Sequence, residues 1–268
     1  MTRPLLEVRE LKTHFSIGRR GFMRRKSVLR AVDGVSFSIH EGEVLSLVGE
    51  SGCGKSTVGR TLTHLETATA GTAMLDGRDI LNLSPAAFRP LRRDIQMIFQ
   101  DPFASLNPRL SIEQMLAEPL FIHGLARDRS EARERIAATL ELVGMDANSM
   151  SRYPHEFSGG QRQRIGIARV MILTPRLVIA DEPVSALDVS IQAQVLNLIK
   201  RLQRESGMSM LFISHDLGAV RHISDRVAVM YGGRLVETGM KRQIFETPRH
   251  AYTQRLLASI PRLGKRIG

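Results

Sequence analysis

The feature that most constrains this chain is a junction. The strand-forming run Val44–Val48 passes without a spacer into Gly49-Glu50-Ser51-Gly52-Cys53-Gly54-Lys55-Ser56, and the helix-compatible stretch Thr57–Leu65 follows. Strand, glycine loop and helix in that order fit G-x-x-x-x-G-K-[ST] in the context that gives the motif its meaning. The residue types suit the holding of a phosphate. Glycines let the backbone curl until successive N–H groups face one anion, and the helix behind adds its positive end. Lys55 reaches the β- and γ-phosphates, and the Ser56 hydroxyl offers oxygen to Mg²⁺. Gly49 to Thr57 is therefore expected to bind a nucleotide; the plain alternative is a glycine-rich turn before a helix. Cys53 reads as a small filler, because the sequence sets no base beside it.

The rest of the chain fits an α/β core. Apolar runs at Ile95–Phe99, Leu177–Ala180 and Met210–Ser214 alternate with helix-period segments, which predicts a parallel sheet with crossover helices. Arg226–Met230 and Arg234–Glu237 flank Tyr231-Gly232-Gly233 as a tight hairpin. From Leu110 to Val170 no strand-like run occurs, so this stretch reads as a helical insertion. Within it Ala132, Ile136, Leu140 and Val143 share one helical face of Ser130–Val143, with Ser130 as expected cap and Gly144 as stop. Ser190–Glu205 is a second helix, with Ile191, Val195, Leu198 and Leu202 on one face.

Composition narrows the class. The 268 residues are 43% hydrophobic and 24% charged, which excludes disorder as the main state. A single cysteine excludes a disulfide framework and a cysteine-based metal cluster. No apolar run approaches the roughly 18 residues of a membrane span, and Met1–Glu10 carries charges where a signal peptide needs an apolar centre. The chain is thus expected in the cytosol or attached from the cytosolic side. A net charge of +11 attracts nucleotides, nucleic acid or acidic lipid without choosing among them. Gly18–Arg30, with Arg19, Arg20, Arg24, Arg25, Lys26 and Arg30, reads as an exposed solvated loop; contact with anionic lipid heads is the sharper reading.

Two further motifs carry chemistry. Leu177–Glu182 is a buried-type strand ending in two acids, at the sheet edge where parallel sheets bind ligands. Asp181 would hold the Mg²⁺ shell, and Glu182 would polarise a water against the γ-phosphate. Ser158-Gly159-Gly160-Gln161, before a helix-compatible run to Val170, is a second phosphate-binding helix start. Two copies of the chain would use it crosswise, each glycine loop facing the other's Ser-Gly-Gly turn. An acid capping a helix and an ordinary glycine turn are the structural alternatives.

Taken together, Gly49–Ser56, Phe157–Gln161 and Leu177–Glu182 resemble the motifs of ABC-transporter ATP-binding subunits, over nearly the whole chain. The resemblance implies an α/β fold with a P-loop NTPase (RecA-like) core and parallel sheet, an N-terminal antiparallel β part and a helical insertion subdomain. It implies one ATP-binding domain, with 1–90 and 171–245 as ATPase core, 91–170 as helical subdomain and 246–268 as C-terminal tail. It makes Gln100 the glutamine that senses Mg²⁺ and the membrane partner, Asp188 of Ser185–Asp188 a nucleotide contact, and His215 the γ-phosphate switch. Phe15 resembles the ring that stacks on adenine, with Phe22 as competitor. The implied cofactors are ATP and Mg²⁺.

The runs Val48–Ser56, Ser105–Arg109, Ala180–Val195 and Pro248–Thr253 are similar to the dipeptide/oligopeptide importer group, nearest its dipeptide type. Nickel and glutathione importers share that group. Phe157 stands where Leu is commoner. No cysteine follows the Tyr252-Thr253 segment, so no tail metal or iron–sulfur site is expected. The implied partners are two membrane permease subunits, a second ATP-binding subunit (identical or paralogous) and, indirectly, a periplasmic peptide-binding protein. The implied place is the cytoplasmic face of the inner membrane, and no nucleic acid is expected. A soluble ABC ATPase acting on nucleic acid or ribosomes is one rival, but such proteins usually carry two cassettes or a coiled-coil insertion. A P-loop kinase is another, and it gives no reason for Ser158–Gln161.

Overall fold

In the first strand, β1 (Leu6–Ile17), Leu6 and Val8 are buried, and then the alternation slips so that Leu11 and Thr13 are buried next. The slip is a bulge. Glu10 takes a left-handed backbone (φ +49), the pairing register shifts between Val8 and Leu11, and the extra residue returns the apolar side chains to the core face. The Glu10 N–H donates to Ser36 Oγ (2.9 Å) and Ser36 Oγ donates back to Glu10 Oε1 (3.1 Å), which secures the bulge. β1 lies antiparallel between β2 (Ser27–Ile39) and β4 (Ala70–Leu75), and β5 (Arg78–Asp79) extends the sheet to the order β2-β1-β4-β5.

The computed structural model describes residues 3–17, 27–101 and 105–259. Contacts divide the chain into one unit of Met1–Asn82 with Phe212–Gly268 and a second of Leu83–Leu211.

Besides the antiparallel sheet, the first unit pairs β3 (Val44–Val48) in parallel with β9 (Arg226–Tyr231), which pairs antiparallel with β10 (Arg234–Met240). All five residues of β3 are buried, as a strand covered on both faces requires. The hairpin turn is Gly232-Gly233, with φ +54 and +81, the two left-handed positions whose twist suits adjoining strands. Among its described residues the unit also holds the helices α1 (Lys55–Leu62), α7 (Leu217–Ile223), α8 (Lys241–Glu246) and α9 (Ala251–Ala258). α1 ends earlier than expected. The Thr63 hydroxyl bonds back to the Gly59 carbonyl (3.1 Å), and His64 turns left-handed (φ +58), so Thr63–Leu65 leave the helix.

The second unit holds α2 (Pro85–Phe88), β6 (Ile95–Ile98), α3 (Ile112–Ile122), α4 (Arg129–Leu142), α5 (Gly159–Met171), β7 (Leu177–Asp181) and α6 (Val189–Ser206). β6 and β7 are parallel, with Ile95 opposite Leu177 and Ile98 opposite Ala180. β8 (Ser209–Ser214), buried along its length, runs across the division. No strand interrupts Leu110–Val170.

Two further expectations need correction. Ser27–Arg30 is strand, not loop; it is exposed on both faces, so no alternation marks it. Residues 18–26 lie outside the described residues. The cap of α4 is Asp128, not Ser130: Asp128 has extended backbone, and its carboxylate accepts the Glu131 N–H at 3.0 Å, while Ser130 already lies in the helix. The buried face is the expected one, Ala132, Ile136, Leu140 and Val143. Asp128→Ala should therefore cost about 1 kcal/mol of stability in urea denaturation, whereas Ser130→Ala should cost a few tenths at most. The reverse ranking would return the cap to Ser130.

Candidate functional site

In the first unit, close backbone approaches explain two of the loop glycines. A Cβ on Gly49 would lie 2.2 Å from the Met230 carbonyl oxygen, and one on Gly54 would lie 2.0 Å from that of Ala31. Gly52 has open space around it, and its φ of +78 alone favours glycine. Lys55 is buried. Its Nζ donates to the carbonyls of Gly49 (2.8 Å) and Glu50 (2.9 Å), which folds the ammonium back over the loop. Gly54 starts α1 with no side-chain cap, and no acid occupies the first turn, which holds Ser56 and Thr57. The positive end of the helix is thus left for an outside anion. Burial pushes the Cys53 thiol up, against the opposing pull of the Lys55 ammonium, so it sits in the loop as a neutral side chain.

The loop has an anchor that sequence reasoning missed. The Glu50 N–H donates to the Tyr252 hydroxyl at 3.1 Å. Tyr252, buried in α9, tilts against Tyr231 with ring centroids 4.4 Å apart, and burial pushes its hydroxyl pKa up. Two residues 202 positions apart carry no local signal of such a bond. On the other side, the Gly233 N–H donates to the Cys53 carbonyl at 3.1 Å.

Phe15 stands half-buried in β1, opposite Leu29 of β2; Phe22 lies outside the described residues. His215 is exposed between β8 and α7. Its turn is fixed by the Asp216 N–H on Ser214 Oγ (3.0 Å) and by Asp216 Oδ1, which accepts the N–H groups of Gly218 (2.7 Å) and Ala219 (3.2 Å).

In the second unit, Asp181 is the buried last residue of β7. Glu182 follows with φ +48, a backbone that costs a non-glycine residue on the order of 1–2 kcal/mol. The turn holds it there: the Glu182 carbonyl accepts from the Ser185 N–H (3.2 Å) and hydroxyl (3.1 Å). Gln100 Nε2 donates to Glu182 Oε2 at 3.0 Å, so these two candidates meet although 82 positions separate them.

Ser158 caps α5 in a reciprocal box. Its Oγ accepts the Gln161 N–H (3.4 Å), and Gln161 Oε1 accepts the Ser158 N–H (3.0 Å). A Cβ on Gly160 would lie 2.5 Å from Ile191 Cγ2, and one on Gly159 3.7 Å from Leu187 Cδ2. Gly160 thus lets α5 approach the start of α6 closely. Asp188 begins α6 with an exposed carboxylate that makes no cap bond to the helix. Among the described residues, no three His, Cys, Asp or Glu side chains gather to hold a metal ion. A Mg²⁺ held through one or two protein oxygens and substrate phosphates has no need of such a cage.

The ABC transporter family profile matches residues 32–185, and that of the oligopeptide/dipeptide transporter C-terminal region matches 236–268. The oligopeptide transport ATP-binding protein OppF of Escherichia coli K12 is 54% identical over 259 residues, 96% of this chain and 78% of that protein. The glutathione import ATP-binding protein GsiA of Pectobacterium atrosepticum is also 54% identical, over 96% of this chain and 41% of that protein. The dimeric ATP-binding cassette MJ0796, solved in a post-hydrolysis state with ADP and Pi, superposes with a TM-score of 0.78 at 27% identity, covering 88% of this chain and 99% of that one. With the family profile covering more than half of its length, the chain belongs to the ABC transporter family.

Proposed function

We propose that this chain binds and hydrolyses ATP to energise the import of di- and oligopeptides, from the cytoplasmic face of the inner membrane. The observation that carries the reading is the pairing of the two profile matches, 32–185 and 236–268, in one chain. None of the described helices is long and apolar enough to cross a membrane; in this reading the membrane passage belongs to partners. These are two permease subunits, fed by a periplasmic peptide-binding protein. A second ATP-binding subunit, identical or paralogous, completes the machine.

Each residue has a role in this reading. The N–H groups of Gly49–Thr57 (Glu50, Ser51, Gly52 and Cys53 among them) receive the phosphates, and Lys55 exchanges loop carbonyls for β- and γ-oxygens. Phe15 stacks on the adenine. Ser56, Gln100 and Asp181 would hold Mg²⁺, which when bound would neutralise charge on the phosphate oxygens. Glu182 takes a proton from the attacking water as the water oxygen bonds to the γ-phosphorus and the bond to the β,γ-bridging oxygen breaks. His215 contacts the γ-phosphate. Ser158, Gly159, Gly160, Gln161 and Asp188 serve the nucleotide of the facing subunit. In the division by role, 1–90 and 171–245 form the ATPase core, 91–170 addresses the permeases, the Gln100–Arg109 region included, and 246–268 is the tail. Catalysis of this kind is mostly positioning and charge stabilisation.

The test is purification of the tagged chain from membranes with its partners, followed by reconstitution in proteoliposomes. ATP hydrolysis should rise when peptide-loaded binding protein is added, stop with EDTA and return with Mg²⁺. Stimulation by glutathione and not by peptide would favour the second reading, a glutathione importer, which the GsiA match supports. Nickel as the stimulating cargo would favour the third member of the group.

A further inference from the structure

One acid outside the assigned machinery joins three parts of the first unit. Asp33 lies in β2 with its side chain 12% exposed, against 66% for Arg234 and 67% for Arg30. Its Oδ2 accepts from Arg234 Nη2 at 2.8 Å, with Arg30 Nη1 at 3.8 Å, and its Oδ1 lies 3.1 Å from His14 Nε2. The acid is the fixed hub, and the two arginines reach in from solvent. The hydrogen bond from Arg234 holds its carboxyl below the usual carboxylate range.

The backbone of the same segment touches the nucleotide loop. The Asp33 N–H donates to the Gly233 carbonyl (2.8 Å), and the Gly233 N–H donates to the Cys53 carbonyl (3.1 Å). Gly54 abuts the Ala31 carbonyl, and a Cβ on Gly233 would lie 2.9 Å from the Arg30 carbonyl oxygen. Arg30–Asp33 is therefore in register with both the hairpin turn and the phosphate loop. On the side-chain side, Asp33 holds His14, the residue immediately before Phe15. Consecutive strand residues point to opposite faces, so a fixed His14 ring fixes the face on which Phe15 stands.

We propose that Asp33 is a positioning residue for the base of the nucleotide, setting the place of Phe15 relative to the phosphate loop through His14 and the Gly232-Gly233 hairpin. The proposal rests on Phe15 as the stacking ring. It separates two parts of binding. The phosphates are held by Gly49–Thr57 and Lys55, which Asp33 does not touch with its side chain. The base is held by a platform whose distance from that loop Asp33 sets.

The experiment measures equilibrium binding of Mg-ATP and of Mg-tripolyphosphate, which lacks base and sugar, to the full chain and to Phe15→Ala, Asp33→Asn and Arg234→Ala. Asp33→Asn should weaken ATP binding about tenfold, the scale of a lost base–aromatic stack, and leave tripolyphosphate within about twofold. Arg234→Ala should weaken ATP selectively by a smaller factor, and the double variant should be no worse than Asp33→Asn alone. A purely structural role would weaken both ligands together. If Phe15→Ala leaves ATP binding unchanged, the stacking reading falls and the proposal with it. If Phe15→Ala weakens ATP alone while Asp33→Asn weakens both ligands equally or neither, the Asp33 assignment fails by itself. Should Asp33→Asn not fold, Arg234→Ala decides: an ATP-selective loss supports the proposal, and no loss overturns it.

Discussion

Glu182→Gln should bind ATP within about threefold of the parent chain and release phosphate at least about 100-fold more slowly, the range of a lost general base. The substitution keeps the volume of the side chain and retains an oxygen to accept from Gln100 Nε2, which donates to Glu182 Oε2 at 3.0 Å. The left-handed backbone at this position is held by Ser185 through the main-chain carbonyl, so it does not depend on the carboxylate. What is lost is the negative charge that, in the proposed reaction, takes the proton. Steady-state phosphate release and equilibrium ATP titration read the two quantities separately. ATP should accumulate undegraded on the protein, and paired subunits should persist in size-exclusion chromatography. Turnover near that of the parent would remove Glu182 from its role.

The second large effect is expected at Gly54 and contrasts with Gly52 two residues earlier. Gly54→Ala places a Cβ 2.0 Å from the Ala31 carbonyl oxygen at φ +106. Backbone cannot yield as a flexible side chain does. Strain and overpacking together should cost on the order of 2–5 kcal/mol, and the loop should lose its anion geometry. Mg-ATP affinity should then fall on the order of 100-fold, since several N–H contacts are displaced at once. Gly52→Ala meets nothing within 4 Å and changes only the cost of φ +78, about 1–2 kcal/mol. Denaturation midpoints and ATP titrations of the pair measure both. Equal losses would mean that the approach to Ala31 is not what the loop depends on.

How far the chain is legible depends on the range of each interaction. The junction at Val48 and Gly49 is local, and strand, loop and helix stand in the order read from it. Buried strands were readable because both faces are covered: all of β3, β7 and β8 is buried. Strand ends shift by a residue or more. β10 runs to Met240 rather than Glu237, because its pairing with β9 continues to Arg226 where the apolar pattern has stopped. At α4 two side chains suited to capping, Asp128 and Ser130, stand two residues apart, and backbone angles rather than residue type choose between them. The bulge at Glu10 leaves no trace in the pattern except the slip it repairs. In the site, resemblance alone makes Gln100 a candidate, and no local pattern places it beside Glu182. Tyr252 beneath Glu50, and Asp33 between His14 and Arg234, join positions distant in the chain through single hydrogen bonds, and no periodicity announces them.

The contact of Gly160 with Ile191 has a mechanical consequence. The Ser158 turn and the Asp188 turn begin different helices, yet the missing side chain at Gly160 seats one helix base on the other, with Leu187 beside Gly159. They are two prongs on one handle. If, as proposed, the triphosphate of a facing subunit binds at the first prong, the second would be carried with it, and each half of the machine would sense its neighbour's fuel through a lever rather than a hinge.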